Sequence, residues 1–249
     1  MNVSFLRKEF KANCWKIYLI LAFLIISAVL LILRFPRFPP LLEQQDLVRL
    51  GVENQEKLEI YEFALYLANH WINRLFYAGS ILAVLLGVDA LTREIEEGTL
   101  TFLLSTPQSR QRIFFGKTLI NLSLLGLVII ISTLWLGGVV ILQNYDIYFL
   151  RFLLLGFWFF IFAALPYSLG LLLSFFISDR VKAGIIAVAI FFLFNFLTPG
   201  SLAWISEYYL SAYFPAIEGS LPYLKIAVIL AAAALMQLLS WRFFSKREF

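Results

Sequence analysis

Apolar and polar positions alternate here on the scale of whole segments. Six runs carry little or no charge, about 15–33, 71–91, 118–142, 152–178, 183–198 and 222–241. A helix rises ~1.5 Å per residue, so runs of this kind suit helices that cross ~30 Å of hydrocarbon. Before the first run, Phe5, Leu6 and Phe10 recur at roughly helical spacing beside Arg7, Lys8 and Lys11. That pattern predicts an amphipathic helix lying at the membrane surface. The first run is longer than the apolar core of a signal peptide. It is followed by RFPRFPP (Arg34–Pro40) in place of a small-residue cleavage site, so it reads as a retained span.

The prolines at 36, 39 and 40 end that span, since each lacks an N–H and restricts the residue before it. Leu41–His70 is the most polar region, with Glu43, Asp46, Glu53, Glu56, Glu59 and Glu62. Its apolar positions suggest helical pieces on the outer surface. The second span carries Arg74 and Asp89 near its two ends, where each can reach an interface. The third and fourth spans have no charge, and Pro166 is expected to kink the fourth. Pro199–Gly200 stops the fifth, and an aromatic, mildly acidic stretch follows to Leu221.

Composition moves this pattern firmly into the membrane class. Of the 249 residues, 61% are hydrophobic and 14% charged, against ~45–50% and ~25% in a soluble domain. The expected fold is therefore all-α and integral to the membrane, one transmembrane domain over 1–249. The net charge of +4 is modest and bears on orientation; no nucleic-acid partner is expected. Six spans put both termini on one side, with 13 lysines and arginines there and 7 on the other. Acidic residues divide 7 to 9 in the opposite sense. Positive charge marks the cytoplasmic side, so both termini are expected to be cytoplasmic. Cys14 and His70 are the sole cysteine and histidine. No internal disulfide can form, and too few ligands of the usual kinds remain for a metal site.

The longest polar interruption on the basic side is Asp89–Lys117. Arg93–Glu97 continues the second helix with exposed charge. Gly98 is a plausible breaker. Thr99 can cap a short helix with Leu100, Leu103 and Leu104 on one face. Thr106–Pro107 fits a cap with proline at the first helical position, restarting the chain into span three. Arg110, Arg112 and Lys117 would then meet lipid headgroups. The ordered alternation of cap, breaker and apolar face argues for a folded element with a partner. Gly116-Lys117-Thr118 looks like the end of a phosphate-binding loop, but that loop needs a glycine where Gln111 stands. Lys117 is better placed at the mouth of span three. No catalytic group emerges. Spans three and four lack Asp, Glu, His and Lys, which weighs against intramembrane proteolysis and against an ion-coupled carrier.

The residues Asp89, Leu91, Thr92, Arg93, Glu94, Glu96, Gly98, Thr99, Leu100, Leu103, Leu104, Ser105, Pro107, Ser109 and Arg110, with Gly116 and Lys117, form a string. It resembles the cytoplasmic signature of ABC-2 type permeases, the six-span membrane subunits of type V ATP-binding-cassette exporters. The resemblance implies a coupling helix between spans two and three that docks on a separate ATPase. The docking residues would be Arg93, Glu94, Glu96, Glu97, Gly98, Thr99, Leu103, Leu104, Pro107, Ser109 and Arg110. It implies two ATPase copies and a second permease, either this chain or a homologue. It also implies short re-entrant helices between spans five and six, and a place in the prokaryotic cytoplasmic (inner) membrane. No cofactor would be bound by this chain, since ATP and Mg would sit on the partner. A membrane scaffold that recruits a cytosolic partner, or an ion-coupled transporter, are the alternative readings. Substrate is not legible.

Overall fold

The computed structural model describes residues 3–34, 55–99, 109–142, 149–197 and 223–246. These form six α-helices and, among the described residues, no strands: α1 Val3–Arg34, α2 Gln55–Glu96, α3 Arg110–Leu142, α4 Phe149–Leu173, α5 Arg180–Leu197 and α6 Tyr223–Lys246. Five contain a stretch long and apolar enough to cross a membrane: Phe10–Arg34, Asn73–Glu96, Arg110–Leu142, Gly156–Leu173 and Ile226–Lys246. The expected fifth span is helical as α5, but does not stand among those five. The outer segment 35–54 and the stretch 198–222, where re-entrant helices were expected, lie outside the described residues.

Two helices are longer than the sequence suggested. The N-terminal amphipathic piece does not form a separate surface helix; it is the first turns of α1, 32 residues without a break. No glycine or proline stands between Val3 and Arg34, so nothing stops the helix there. In the same way α2 runs for 42 residues from Gln55, taking in half of the polar region before Trp71. At ~1.5 Å per residue it is ~63 Å long, about twice a bilayer's hydrocarbon core.

The helices alternate in direction. Lys16 of α1, Asp89 of α2 and Arg180 of α5 meet at one end of the bundle. Arg110 opening α3 reaches the carbonyls of Phe244 and Ser245 in the last turn of α6 at that same end. Towards the opposite end, the Tyr66 hydroxyl of α2 donates to the Leu31 carbonyl of α1, and Phe76 of α2 lies against Phe191 and Phe192 of α5.

The centre of the bundle is the pair α2 and α4, which run parallel and pack closely enough for backbone to meet backbone. A Cβ on Gly170 would come within 2.5 Å of the Val84 carbonyl oxygen, and one on Gly87 would overlap the Tyr167 carbonyl. Leu82, Leu86, Tyr167 and Leu171 fill the remaining space and are buried. α3 packs on the same core, with Gly156 of α4 against Thr133 and Gly126 against Phe160. The outward faces are apolar. Trp15, Leu19, Phe23, Ile26, Leu30 and Leu33 line the exposed side of α1, at the three-to-four-residue spacing of one helix face. Large apolar side chains exposed over whole helices suit a lipid solvent, not water. The helix of α4 continues through Pro166, whose ring nitrogen cannot bond the carbonyl four residues back.

Candidate functional site

The end of the bundle where α1, α3 and α5 start and α2 and α6 finish holds a buried polar cluster. Its geometry follows from local sequence. α2 stops in a glycine turn: Gly98 has φ +66°. Thr99 N donates to the Glu94 carbonyl at 3.0 Å and Gly98 N to that of Ile95 at 3.2 Å. This pair of bonds satisfies carbonyls that the helix end would otherwise leave open, and the left-handed residue it needs is the expected breaker Gly98. The chain returns at Ser109, whose hydroxyl accepts from the Arg112 N–H at 3.3 Å and whose carbonyl accepts from Ile113 N. Ser109 is thus the N-cap of α3. Thr106 and Pro107, expected to restart the helix, lie outside the described residues, as do Leu100, Leu103 and Leu104.

Two carboxylates of α2 anchor the cluster. Glu94 is 1% exposed, and its Oε1 lies 3.1 Å from Nζ of Lys117 on α3, which is equally buried. Its Oε2 accepts a 2.5 Å bond from the hydroxyl of Thr99, the first residue past the glycine turn. The Arg93 guanidinium stands 3.8 Å from Oε1. One turn earlier, Asp89 pairs with Lys16 of α1 and lies 3.6 Å from Nε of Arg180 on α5. Lys16 also donates to the Asn13 side chain at 3.0 Å. Asn13 donates in turn to Asn121 of α3, which donates to the Leu86 carbonyl of α2. Asp89 and Glu94 are five residues apart, so they leave α2 in different directions, one towards α1 and α5, the other towards α3.

Several expectations change here. Arg93 and Glu94 were expected as exposed charge; they are 5% and 1% exposed. Lys117 and Arg110 were expected among lipid headgroups. Lys117 is buried against Glu94 instead, and Arg110 binds the last carbonyls of α6, which carry the negative end of the helix dipole. Arg93, Glu94 and Lys117 share one physical reason. α1 and α3 pass close beside the last turns of α2, and a charge in that crevice persists only beside an opposite one. Glu96 and Glu97 are exposed, as expected. Glu96 also accepts the backbone N–H of Arg180 at 2.5 Å, so it caps the start of α5 from another helix. Just before α5, Asp179 accepts the Lys182 N–H at 2.9 Å, and that bond holds its carboxyl below the usual range.

Reading the loop alone missed Lys16, Asn13 and Asn121 as members of this site. A signal existed. Asn13 and Lys16 stand three apart, and Lys117 and Asn121 four apart, so each pair marks one helix face among apolar neighbours. Lys117 sits well inside α3, not in a loop, and its ammonium is engaged by Glu94; the phosphate-loop likeness of Gly116-Lys117-Thr118 does not extend to structure. Among the described residues no group of three or more His, Cys, Asp or Glu is placed to hold a metal ion.

Residues 4–244 match the family model described as ABC-2 family transporter protein. The match spans nearly the whole chain, and with the apolar helices it defines a multi-pass membrane transport protein of the permease type. The chain belongs to the ABC-2 family of transporter proteins. No curated protein matches it.

Proposed function

We propose that this chain is the membrane-spanning permease subunit of an ATP-binding-cassette exporter, coupled to a separate ATPase through the segment from Arg93 to Arg110. Six spans cross a prokaryotic cytoplasmic membrane, with α5 the fifth and both termini in the cytoplasm. The excess of lysine and arginine at the end that carries Asp89 and Arg110 supports this orientation. Two permeases, this chain twice or with a homologue, enclose the path, and two ATPases bind below. ATP and Mg belong to those partners.

One observation carries the reading. The segment between α2 and α3 is fixed at both ends, by the Gly98 turn and the Ser109 cap, and the flanking helices are joined by the Glu94–Lys117 pair. A rigidly footed segment can transmit a push; a slack one cannot. Glu97, exposed beside the turn, and Leu103 and Leu104 are the contact residues of the docking face. Arg93 and Glu94 are buried and brace the end of α2 that leads into the segment.

In-cell photocrosslinking tests this directly. A photoreactive amino acid at Leu103 or Glu97 is expected to capture a protein that mass spectrometry shows to contain a phosphate-binding loop. Glu97→Lys with Leu104→Asp should abolish capture by a probe at Leu103 while leaving membrane insertion intact. Capture of lipid alone would refute the docking assignment.

A further inference from the structure

We infer that Asp89 and Glu94 are positioning residues: two buried carboxylate clamps on α2 that lock the partner-docking segment to α1, α3 and α5. The inference rests on the docking reading for what the segment does, and on side-chain geometry for how it is held. The Glu94 clamp joins α2 to α3 through Lys117 and takes hold of Thr99, the first residue past the Gly98 turn, through its hydroxyl. The Asp89 clamp joins α2 to α1 through Lys16 and to α5 through Arg180. Arg180 is held twice from α2, since its backbone N–H also meets Glu96. A displacement of the segment is therefore delivered to four helices at once.

Charge suits this task better than apolar packing. An apolar contact yields to sliding, since its energy depends on area buried and has no preferred direction. A buried carboxylate that slides away from its cation is left without compensation, so the contact resists sliding until it breaks. Both clamps sit within the last two turns of α2, next to the segment, and not along the rest of that helix's contact with α4, where apolar side chains and glycines make the packing.

Nitroxide distance measurements test the clamps on the full chain in lipid nanodiscs, without any ATPase. Cys14→Ser provides the background. Labels at the exposed positions 97 and 111 report the distance between α2 and α3, and labels at 97 and 182 that between α2 and α5. Narrow distance distributions are expected for both pairs. Glu94→Gln or Lys117→Gln should broaden the first and leave the second. Asp89→Asn should broaden the second and leave the first. The charge swap Glu94→Lys with Lys117→Glu should recover the narrow first distribution, which a general loss of stability would not allow. Thr99→Val and Arg180→Gln remove clamp contacts while Lys117 still pairs with Glu94 and Lys16 with Asp89, and each should broaden its own pair even if the other variants fail to fold. Unchanged distributions in these two variants, or a swap no narrower than its parents, would overturn the inference. The crosslinking experiment reads docking separately, so clamps without a captured ATPase would refute only the docking reading.

Discussion

Nζ of Lys117 lies 3.1 Å from Oε1 of Glu94, with both side chains 1% exposed. Two helices that leave opposite ends of one segment are thereby joined by a pair that water barely reaches. Removing one member strands the other charge, which costs about 3–5 kcal/mol in buried pairs. Lys117→Met should accordingly lower the thermal unfolding midpoint in detergent sharply. Glu94→Met with Lys117→Met should lose less than the single change, because no lysine or carboxylate of the pair then remains uncompensated. If the double variant is as unstable as the sum of the single ones, the pair does not act as a unit.

The Gly98 turn gives a smaller and more local effect. Its φ of +66° is a conformation that costs residues with a Cβ about 1–2 kcal/mol. Nothing lies within 4 Å of where that Cβ would go, so sterics with neighbours do not add to the cost. Gly98→Ala should destabilise by about this amount, and Gly98→Asn by less, since asparagine tolerates the left-handed region. Chemical or thermal unfolding of the two variants side by side decides it; equal stabilities for the parent and both variants would count against a strained turn.

Much of the architecture was legible because the relevant signals are local. Apolar runs mark helices, and Gly98 marks a stop. The lengths of α1 and α2 were misjudged for a related reason. Charge at residues 3–11 and 55–70 says where a segment is solvated, not where a helix ends, and no breaker stands at either junction. The polar cluster was the hardest to read. Lys16, Asp89 and Arg180 lie in three different segments, and each looks individually like an interfacial charge. That Arg93 and Glu94 face inwards while Glu96 and Glu97 face outwards depends on which side of α2 meets α1 and α3. No periodicity in REIEE reveals that side.

Glycine at the α2–α4 crossing is a third test, and it separates contact from conformation. Gly87 and Gly170 lie against backbone carbonyls of the facing helix, which cannot rotate aside. Alanine at either position must push the helices apart, and overpacking of this kind typically costs about 1–3 kcal/mol. Gly138, on an exposed face of α3, has open space where a Cβ would go. Gly138→Ala should be neutral or slightly stabilising through helix propensity. Melting temperatures for the three variants check the ranking, and a Gly87→Ala protein as stable as the parent would contradict the close approach.

His70 supplies a pH dependence at the other end of α2. It precedes the apolar stretch that begins at Asn73 and its ring meets Tyr66 edge-on at 4.4 Å. Burial, and then the nearby Arg74 charge, hold its pKa below the ordinary 6.5. The folded protein therefore binds the proton less readily than the unfolded chain. Linkage fixes the sign: His70 makes no pH-dependent change above 6.5, and stability falls as pH drops from there through the lower folded value. His70→Gln cannot be protonated and should flatten the part of the stability profile that runs from pH 6.5 downward, with little change above it. Thermal unfolding of both proteins across this range checks the prediction. A profile of unchanged slope in the variant would assign the pH dependence to other groups.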